Sequence, residues 1–297
     1  MGAPRVSIVI PAWNAESFIE KTLSAVAAQT YRDFEVIVID DGSADNTKTV
    51  VDQFLQKTGL RGRCIKQDNK KIAAARNTGI RAAEANLISF LDHDDLWFPG
   101  KLEKVMAEFD AHPDIDLVCH QENVIKNGAF VRVTRNGPLV ANMYEHLLFE
   151  GNGLSPSAVV VKKAKLLEAG LFREEPEFNT VEDYDIWMRL AKICRMRFLN
   201  EVLGEYQLVE RGASNKIVYH NTNLEHLLLD HFRNFPNSAL RKRRRLGAMC
   251  RSAARLLMEQ GDFTAAGTYA RRAAAECPWD WKNIAVVGLW AARRLAK

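Results

Sequence analysis

Short apolar runs alternate with longer amphipathic stretches along the first half of the chain. Runs rich in Val and Ile at 6–10 and 35–39 predict buried strands of about five residues each, and further strands are predicted near 63–67 and at 87–91. Apolar residues at helical spacing between the runs predict helices over 16–29, 45–57 and 72–85. Pro99 suits the first turn of a helix and predicts one more. Strands separated by helices in this way predict an α/β fold, with a mostly parallel sheet and helices on both faces.

The second half of the chain is less regular and ends in helices. Strands are predicted near 116–121, 130–135 and 158–162, followed by a helix over 180–193. From about residue 224 the pattern is helical throughout. Small residues and a proline there occupy positions typical of a tetratricopeptide helix pair: Ala254, Gly261, Ala266, Ala273 and Pro278. Because a solenoid needs about three such repeats, we predict a sheet domain over 1–220 and a helical region over 221–297 that packs on it as a hairpin.

Polar side chains follow three of the four predicted strands of the first half. They are Trp13 and Asn14, then Asp40 and Asp41, then the group from Asp92 to Asp95. Ligands of such sheets bind outside the carboxyl ends of the strands. The convergence therefore predicts a binding site at that edge of the sheet.

Three carboxylates crowd the end of the fourth strand, at Asp92, Asp94 and Asp95. Like charges about 4 Å apart repel by about 4 kcal/mol at an effective dielectric constant near 20. A hard divalent cation such as Mg²⁺ or Mn²⁺ relieves that repulsion, and it takes one or two carboxylates together with substrate phosphates. The alternative is an exposed acidic turn before the helix at Pro99.

Further polar positions admit both a functional and a structural interpretation. Asp41 can accept a hydrogen bond from a nucleobase or ribose, or it can belong to a turn that caps the next helix. Arg76 offers a guanidinium fork to a phosphate, or it is an ordinary exposed arginine of a helix. Glu182 and Asp183 begin an amphipathic helix, where the macrodipole favours carboxylates. Their functional interpretation is a general base that deprotonates a hydroxyl.

Charge is distributed unevenly along the chain. From Arg241 onward 13 Lys and Arg stand against 4 Asp and Glu, a local net charge of +9, while the preceding part carries 28 basic and 33 acidic residues, a net of −5. The cationic run at 241–245, followed by Trp279, Trp281 and Trp290, indicates contact with an anionic membrane surface. A solvated face packed on the sheet domain or against a homodimer partner is the alternative. Nucleic acid is not expected as a partner, because no recognition fold accompanies the run.

The cysteines and the hydropathy of the chain indicate in which cellular compartment the protein is expected. The five cysteines are odd in number and far apart, without a Cys-x-x-Cys pair, which argues against a disulfide framework and a structural zinc site. The first predicted strand starts by Val6, which leaves no room for a signal peptide, and no stretch approaches about 18 uninterrupted apolar residues. We therefore expect a cytoplasmic protein, peripheral at the inner face of the plasma membrane if the basic region binds lipid.

Five stretches, in order, resemble the inverting glycosyltransferases of family 2, which have the Rossmann-like GT-A fold. They are VSIVIPAWN at 6–14, VIDDGS at 38–43, ARNTG at 75–79, ISFLDHDDLW at 88–97 and ED at 182–183. The resemblance covers about residues 5–215. Any one match is weak, but five in the correct order are strong.

The resemblance implies roles around the donor. Asp92, His93 and Asp94 match the family's D-x-D motif, in which the last aspartate ligates a metal, Mn²⁺ or Mg²⁺. Asp94 is thus the implied metal ligand, Asp92 lies near the ribose, and His93 lies beside the donor. Arg76 approaches the diphosphate, and Asp183 is the catalytic base.

The implied nucleobase pocket lies at the ends of the first two strands. Asp41 contacts uracil or another base, and the pocket is lined by the residues of the first motif, Pro11, Ala12, Trp13 and Asn14.

Two positions depart from the family pattern. The aromatic residue of the first motif is commonly tyrosine and is Trp13 here, which keeps the flat face and loses the hydroxyl. The loop before the third matching stretch usually has a glycine where this chain has Lys71, so the sequence leaves the shape of that loop open. Lys71 is itself a candidate for contact with phosphate or acceptor. Arg211, in a loosely matching later stretch, is a candidate for the diphosphate, and Glu182 and Asp95 are further candidates at the site.

The implied function is transfer of a sugar from a nucleoside-diphosphate donor, expected to be UDP-linked, to a hydroxyl of a glycan or lipid-linked acceptor. Such transfers build cell-surface polysaccharides and glycoconjugates. A nucleotidyltransferase would normally show a glycine-rich phosphate loop after its first strand, and PAWN at 11–14 is not one. A non-catalytic sugar-nucleotide-binding module would lack the carboxylates at 182–183. A dehydrogenase is disfavoured because no Gly-x-Gly-x-x-Gly follows Ile10.

Overall fold

The computed structural model describes residues 2–208 and 216–295, except for the side chain of Leu295. The chain divides into two compact units. The first comprises Met1–Tyr144, Asn152–Glu175 and Glu182–Glu210, and the second comprises Glu145–Gly151, Pro176–Val181 and Arg211–Lys297. The domain boundary placed after residue 220 stays a prediction.

Strands and helices alternate from the N-terminus, as the apolar pattern predicts. In chain order they are β1 (Val6–Ala12), α1 (Ile19–Ala27), β2 (Phe34–Asp41), α2 (Thr47–Thr58), β3 (Gly62–Gln67), α3 (Lys71–Ala82), β4 (Leu87–Phe90), β5 (Leu96–Trp97) and α4 (Lys101–Ala111). Then follow β6 (Leu117–Lys126), β7 (Ala129–Val133), α5 (Met143–Glu150), β8 (Val159–Lys162), α6 (Lys163–Glu168), α7 (Glu182–Leu190) and β9 (Met196–Leu208). Short 3-10 helices lie at Pro156–Ala158 and Pro176–Phe178.

One mixed sheet organises the first unit. Its strand order is β3-β2-β1-β4-β8-β6-β9-β5, with β7 paired to β6. Of the nine strands in the described part of the chain, β1 to β4, β6 and β9 run in one direction, while β5, β7 and β8 are antiparallel to their neighbours. Every residue of β1 and β2 is buried, which suits strands covered on both faces. The α/β fold class with a mostly parallel sheet is confirmed.

Close packing of α3 on β1 sets the position of the site. A Cβ placed on Gly79 would lie 2.3 Å from Cγ1 of Val9, so only glycine lets the helix approach the strand this closely. Arg76 lies three residues earlier on the same helix and is therefore on the same side. Arg76 is 1% exposed. The interpretation of Arg76 as an exposed helical arginine is wrong, because the face of α3 that carries it is held against the sheet.

Helices α8 (Ile217–Phe232), α9 (Ala239–Glu259), α10 (Phe263–Glu276) and α11 (Trp281–Leu295) make up most of the second unit. The small residues that suggested a helix pair lie where α9 and α10 pack, since Ala254, Ala266 and Ala273 are fully buried. Asp262 caps α10 by accepting a hydrogen bond from the N–H of Ala265 at 2.9 Å. Among the helices of the described residues, none combines the length and the apolar character needed to cross a bilayer.

Candidate active site

A buried arginine joins two of the acidic motifs. The Arg76 guanidinium donates to Oδ1 of Asp92 at 2.8 Å and to Oε1 of Glu182 at 2.8 Å. These carboxylates lie far apart in the sequence, after β4 and at the start of α7. The structure thus brings together Arg76, Asp92 and Glu182, and the charge of Asp183 also acts on Arg76.

The two carboxylates at the start of α7 differ in access. Glu182 is 4% exposed, and its Oε2 atom is buried without a hydrogen-bond partner. Burial raises the pKa of Glu182 to about 7, although the cation of Arg76 acts in the opposite direction. Asp183 is half-buried, and its Oδ2 accepts from Nδ2 of Asn152 at 3.5 Å. Burial raises the pKa of Asp183 also, with Arg76 again opposing the shift.

Ser157 forms hydrogen bonds with two residues of the acidic loop at 92–95, which follows β4. The N–H of Asp92 donates to Oγ of Ser157 at 3.0 Å, and the Ser157 hydroxyl donates to Oδ2 of Asp95 at 2.6 Å. The other Asp95 oxygen accepts from the N–H of Gln207 at 2.8 Å. Asp95 is 1% exposed, and burial raises its pKa well above the usual range. Its carboxylate therefore fixes the loop to β9 and to the 3-10 helix that carries Ser157.

His93 and Asp94 occupy the middle of the loop. Nδ1 of His93 lies 3.2 Å from the carbonyl oxygen of Pro11, which ties the loop to the end of β1. The carbonyl of His93 accepts from the hydroxyl of Thr22 at 2.8 Å. Asp94 is half-buried. Its side chain borders a cavity of about 170 Å³ that is lined by Ser17, Phe18, Lys21, Thr22, Asp94 and Gln207.

Asp94 suits a divalent cation of the kind that the D-x-D resemblance implies. Burial raises the pKa of its carboxyl group, and the charge of Asp92 adds to this while His93 opposes it, so a nearby cation would favour the ionised form. Within the described residues, no three His, Cys, Asp or Glu side chains form a metal cluster. Mg²⁺ or Mn²⁺ does not require one, because it takes one or two carboxylates and completes its shell with phosphates and water.

The ends of β1 and β2 are connected by side-chain bonds. The N–H of Asn14 donates to Oγ of Ser43 at 2.9 Å, and Oδ1 of Asn14 accepts from the N–H of Ala44 at 2.9 Å. Pro11 and Ala12 are buried, whereas Trp13 is 54% exposed. An open aromatic face beside a fixed turn can stack on a flat ligand ring.

Asp41 holds the loop between β3 and α3. Its Oδ1 accepts from Nε2 of Gln67 at 2.7 Å and from the N–H of Lys70 at 2.9 Å, and its Oδ2 accepts from the N–H of Lys71 at 2.8 Å. Lys71 has a φ of 73°, in the left-handed region that favours glycine. The loop therefore has the backbone shape that a glycine would adopt, although a lysine occupies the position. The ammonium of Lys71 donates to Oδ1 of Asn69 at 2.9 Å.

We expect the Lys71→Gly protein to be more stable than the Lys71→Ala protein by about 1 kcal/mol, because left-handed backbone costs an L-residue roughly 1–2 kcal/mol and costs glycine little. Both variants lose the contact with Asn69, so the alanine variant is a matched control. Urea unfolding of the two proteins measures the difference. An alanine variant as stable as the glycine variant would mean that the bonds to Asp41 do not enforce this φ.

Several residues around the site carry no motif and were not predicted. Ser157, Thr22 and Asn152 lie on segments whose sequence has no recognisable signal. Tyr206, on β9, is half-buried, and burial together with the charges of nearby aspartates raises its pKa. Tyr206 belongs to the same loosely matching stretch as Arg211, and that weak similarity is the only signal for it in the sequence. Arg211 lies outside the described residues.

The mixed sheet thus carries an acidic loop after β4 that Arg76 joins to a carboxylate on α7. The chain belongs to glycosyl transferase family 2, whose model matches residues 7–165.

Curated relatives match about seven tenths of the chain. An amylovoran biosynthesis glycosyltransferase, AmsB of Erwinia amylovora, is 30% identical over 70% of this chain and 71% of its own length. A chondroitin synthase of Escherichia coli is 30% identical over 72% of this chain but only 30% of its own length. An uncharacterized glycosyltransferase of Rickettsia felis is 27% identical over 73% of this chain. The chain spans 36% of that relative's length.

Solved structures agree with the fold. TarS 1–349 of S. aureus, in complex with UDP, superposes with a TM-score of 0.60 at 18% identity, over 99% of this chain and 92% of TarS 1–349. The mannosyltransferase PcManGT of Pyrobaculum calidifontis, in complex with GDP-Man and Mn²⁺, gives a TM-score of 0.59 at 20% identity, over 99% of this chain and 81% of PcManGT. At these identities the likeness shows the fold alone.

Proposed function

We propose that the chain transfers a sugar, with inversion, from a nucleoside-diphosphate donor to a hydroxyl of a glycan or lipid-linked acceptor. The observation that carries the proposal is the burial of Arg76 between Asp92 and Glu182. This ion-pair network links the loop at 92–95, which we propose binds the donor, to helix α7, which carries the proposed base. Two carboxylates joined by one fixed cation suit a reaction in which one end of the site binds phosphate and metal while the other accepts a proton.

On the donor side, Asp92 lies near the ribose, His93 lies beside the donor and Asp94 holds the metal. Arg76 approaches the diphosphate, and Trp13 lies against the base in the pocket of Pro11, Ala12 and Asn14. Asp41 also contacts the base. Its Oδ1 already accepts two hydrogen bonds, from Gln67 and Lys70, but Oδ2 accepts only one, from Lys71, and keeps a second lone pair for a ligand donor. UDP is our expected nucleotide, and a TarS structure with UDP supports a donor of this class.

The metal is proposed to be Mn²⁺ or Mg²⁺ on Asp94, and a GT-A neighbour solved with Mn²⁺ supports this class of ion. When bound, such an ion stabilises the negative charge that grows on the departing diphosphate. The chain's own part is to hold Asp94 at the cavity through the bonds of Ser157, Asp95 and Thr22. Lys71 and Arg211 are further candidates for the phosphates.

Asp183 is the proposed base. As the acceptor oxygen bonds to the anomeric carbon, its proton passes to Asp183, and the bond from that carbon to the diphosphate oxygen breaks on the opposite face. Asp183 is the more accessible of the two carboxylates, since Glu182 is buried against Arg76. A raised carboxyl pKa also strengthens a base. Glu182 then positions Arg76.

The setting is proposed to be the synthesis of cell-surface polysaccharide or glycoconjugate, which the similarity to a chondroitin synthase and to AmsB supports. We propose a cytoplasmic enzyme that associates peripherally with the inner face of the plasma membrane through its C-terminal region. Homodimerisation is the competing use of that region.

A panel of sugar nucleotides tests the proposed function. Each is incubated with the full chain and Mn²⁺, and release of the nucleoside diphosphate is measured with and without oligosaccharide acceptors. We expect one donor to be turned over, and NMR of the product to show the inverted anomeric configuration. Release from none of the donors, with or without acceptor, would contradict the proposal.

The Asp94→Ala protein should bind the preferred donor at least about tenfold more weakly in Mn²⁺, which corresponds to about 1.4 kcal/mol. The reason is that the proposed ion loses its protein ligand. Calorimetric titration measures the affinity, and the same titration in EDTA is the control, in which wild type and variant should become similar. Equal affinities in Mn²⁺ would remove Asp94 from the role of ligand.

A further inference from the structure

Helix α11 presents an apolar surface to solvent. Its outward residues are apolar and recur at helical spacing, and we call them the α11 face: Trp281, Ile284, Ala285, Gly288, Leu289 and Ala292. Trp281 is 72% exposed and Ile284 is 51% exposed. The outer side of a surface helix is normally polar. A contiguous apolar face of this kind marks an interaction surface.

The opposite side of α11 is firmly anchored, so the exposed face does not result from a loosely placed helix. Nε1 of Trp290 donates to the carbonyl of Phe263 at 2.7 Å, and a Cβ on Gly267 would lie 2.5 Å from the Trp290 ring. Asn283 is fully buried and donates to the carbonyl of Cys277 at 3.1 Å. These contacts fix the rotation of α11 about its axis and leave Trp281 and Ile284 outward.

Several residues of the cationic run at 241–245, by contrast, interact with other residues of the second unit. Arg241 forms an ion pair with Glu145, and its guanidinium lies 3.9 Å from the ring centre of Phe149. Arg243 donates to the carbonyl of Ala275 at 2.7 Å. Arg245 is buried and donates to the carbonyl of Leu148 at 3.2 Å. Three of the five cations of the run thus have partners within the second unit, although Arg241, Arg243 and Arg244 remain exposed.

Cations border the α11 face instead. Lys282 lies beside Trp281, Arg293 and Arg294 lie at the other end of the helix, and all three are exposed. The helix sequence from 281 to 295 contains no Asp or Glu. An apolar face with an exposed tryptophan and cationic edges matches the chemistry of an anionic bilayer surface, where the ring sits at the headgroups and the cations meet lipid phosphates.

We propose that the α11 face lies in the plane of an anionic membrane and forms the contact between this chain and lipid. At 15 residues the helix is about 22 Å long, shorter than a spanning helix needs, so it lies on the surface. A second copy of the chain is the less suitable occupant, because packing two α11 faces together would also bring their edge cations together, and the helix has no Asp or Glu to pair with them. The inference rests on the membrane association proposed above and identifies its surface.

Vesicle co-sedimentation of the full chain tests the assignment. Wild type should bind vesicles of phosphatidylcholine with phosphatidylglycerol, and bind phosphatidylcholine alone at least tenfold more weakly. The Trp281→Ser/Ile284→Ser protein should lose at least tenfold in affinity for the anionic vesicles. Ile284→Ser alone is compared with Leu229→Ser, which removes a leucine of α8 that is 50% exposed, close to the 51% of Ile284. Leu229→Ser should bind as wild type does.

Each outcome is decisive. Wild-type-like vesicle binding by the double variant, with unchanged helix content by circular dichroism, would overturn the assignment while leaving membrane association in place. Failure of wild type to bind any vesicle would overturn both. Sedimentation velocity tests a third outcome. If wild type is a dimer and the double variant is a monomer with unchanged vesicle binding, the α11 face is a subunit interface. Transfer to a soluble acceptor is unaffected in all three cases, so failure of the transfer chemistry is recognised separately.

Discussion

The Asp183→Asn protein is expected to transfer sugar about 10²–10⁴-fold more slowly than wild type, the range that a positioned general base contributes. Asparagine has the shape of aspartate, and Oδ1 can still accept from the N–H of Tyr184, a bond of 2.7 Å in the structure. It cannot take the acceptor's proton. The donor is held by other residues, so donor affinity should change less than about threefold.

Initial rates at saturating donor, together with calorimetric donor titration, separate the two effects. Asp114→Asn is the matched control, since Asp114 is an exposed aspartate paired with Arg195 before the N-terminal end of β6. It should leave the rate unchanged. Wild-type turnover by Asp183→Asn would exclude Asp183 as the base. An equal loss of donor affinity and rate would instead place Asp183 in the donor site.

The pH profile gives an independent check on the same residue. A base acts only when deprotonated, so the rate should fall as the pH drops through the pKa of Asp183. Because burial raises that pKa, the acid limb of kcat/KM should lie above the usual range of an aspartate. Asp183→Asn should lose this limb from its residual activity, whereas Asp114→Asn should keep it.

The parallel core could be predicted because its signal is local. Strands β1, β2 and β4 are short, largely apolar and separated by amphipathic helices, and the predicted ranges of β1 to β4 agree with the observed ones to within about two residues. Of the two strands that the pattern missed, β5 has only two residues, Leu96 and Trp97, which are too few to show a period, and β9 has mixed polarity. Strand β9 alternates irregularly between buried and exposed residues, and its pairing with β6 has two register shifts, so no period of two appears in its sequence.

Motif residues could be identified at the site, but their contacts could not. Arg76 appears from the sequence as a phosphate ligand or an exposed side chain, and its burial between two carboxylates depends on tertiary packing through Gly79. Asp95 looks equivalent to Asp94 in the sequence, yet only Asp95 is buried with both oxygens bonded. The left-handed conformation at Lys71 depends on hydrogen bonds from another strand. Such distinctions arise from contacts between distant segments.

Replacing Arg76 by methionine should destabilise the first unit by about 3–5 kcal/mol, the cost of removing one partner from a buried ion pair. Methionine has a similar length but no charge, so Glu182 is left buried without its cation. Glu182 already has a pKa of about 7, and loss of Arg76 raises that pKa further. A carboxyl group with a raised pKa contributes most stability at low pH and loses it as the pH rises. The defect of Arg76→Met should therefore grow above about pH 7.

A second substitution distinguishes loss of charge balance from loss of packing. In Arg76→Met/Glu182→Gln the buried charge is removed together with its partner, so much of the lost stability should return, because replacing a whole buried pair is often neutral. Hydrogen exchange of the α3 and α7 amides measures the stability of the first unit directly. Arg81→Met, at an exposed arginine of the same helix, should change the stability of the first unit by less than about 0.5 kcal/mol.

A double variant no more stable than Arg76→Met would show that packing of the guanidinium against Phe172, with Cζ 5.5 Å from the ring centre, matters more than the charges. Transfer should remain slow even in the stable double variant, because Asp92 no longer has the cation that orients it.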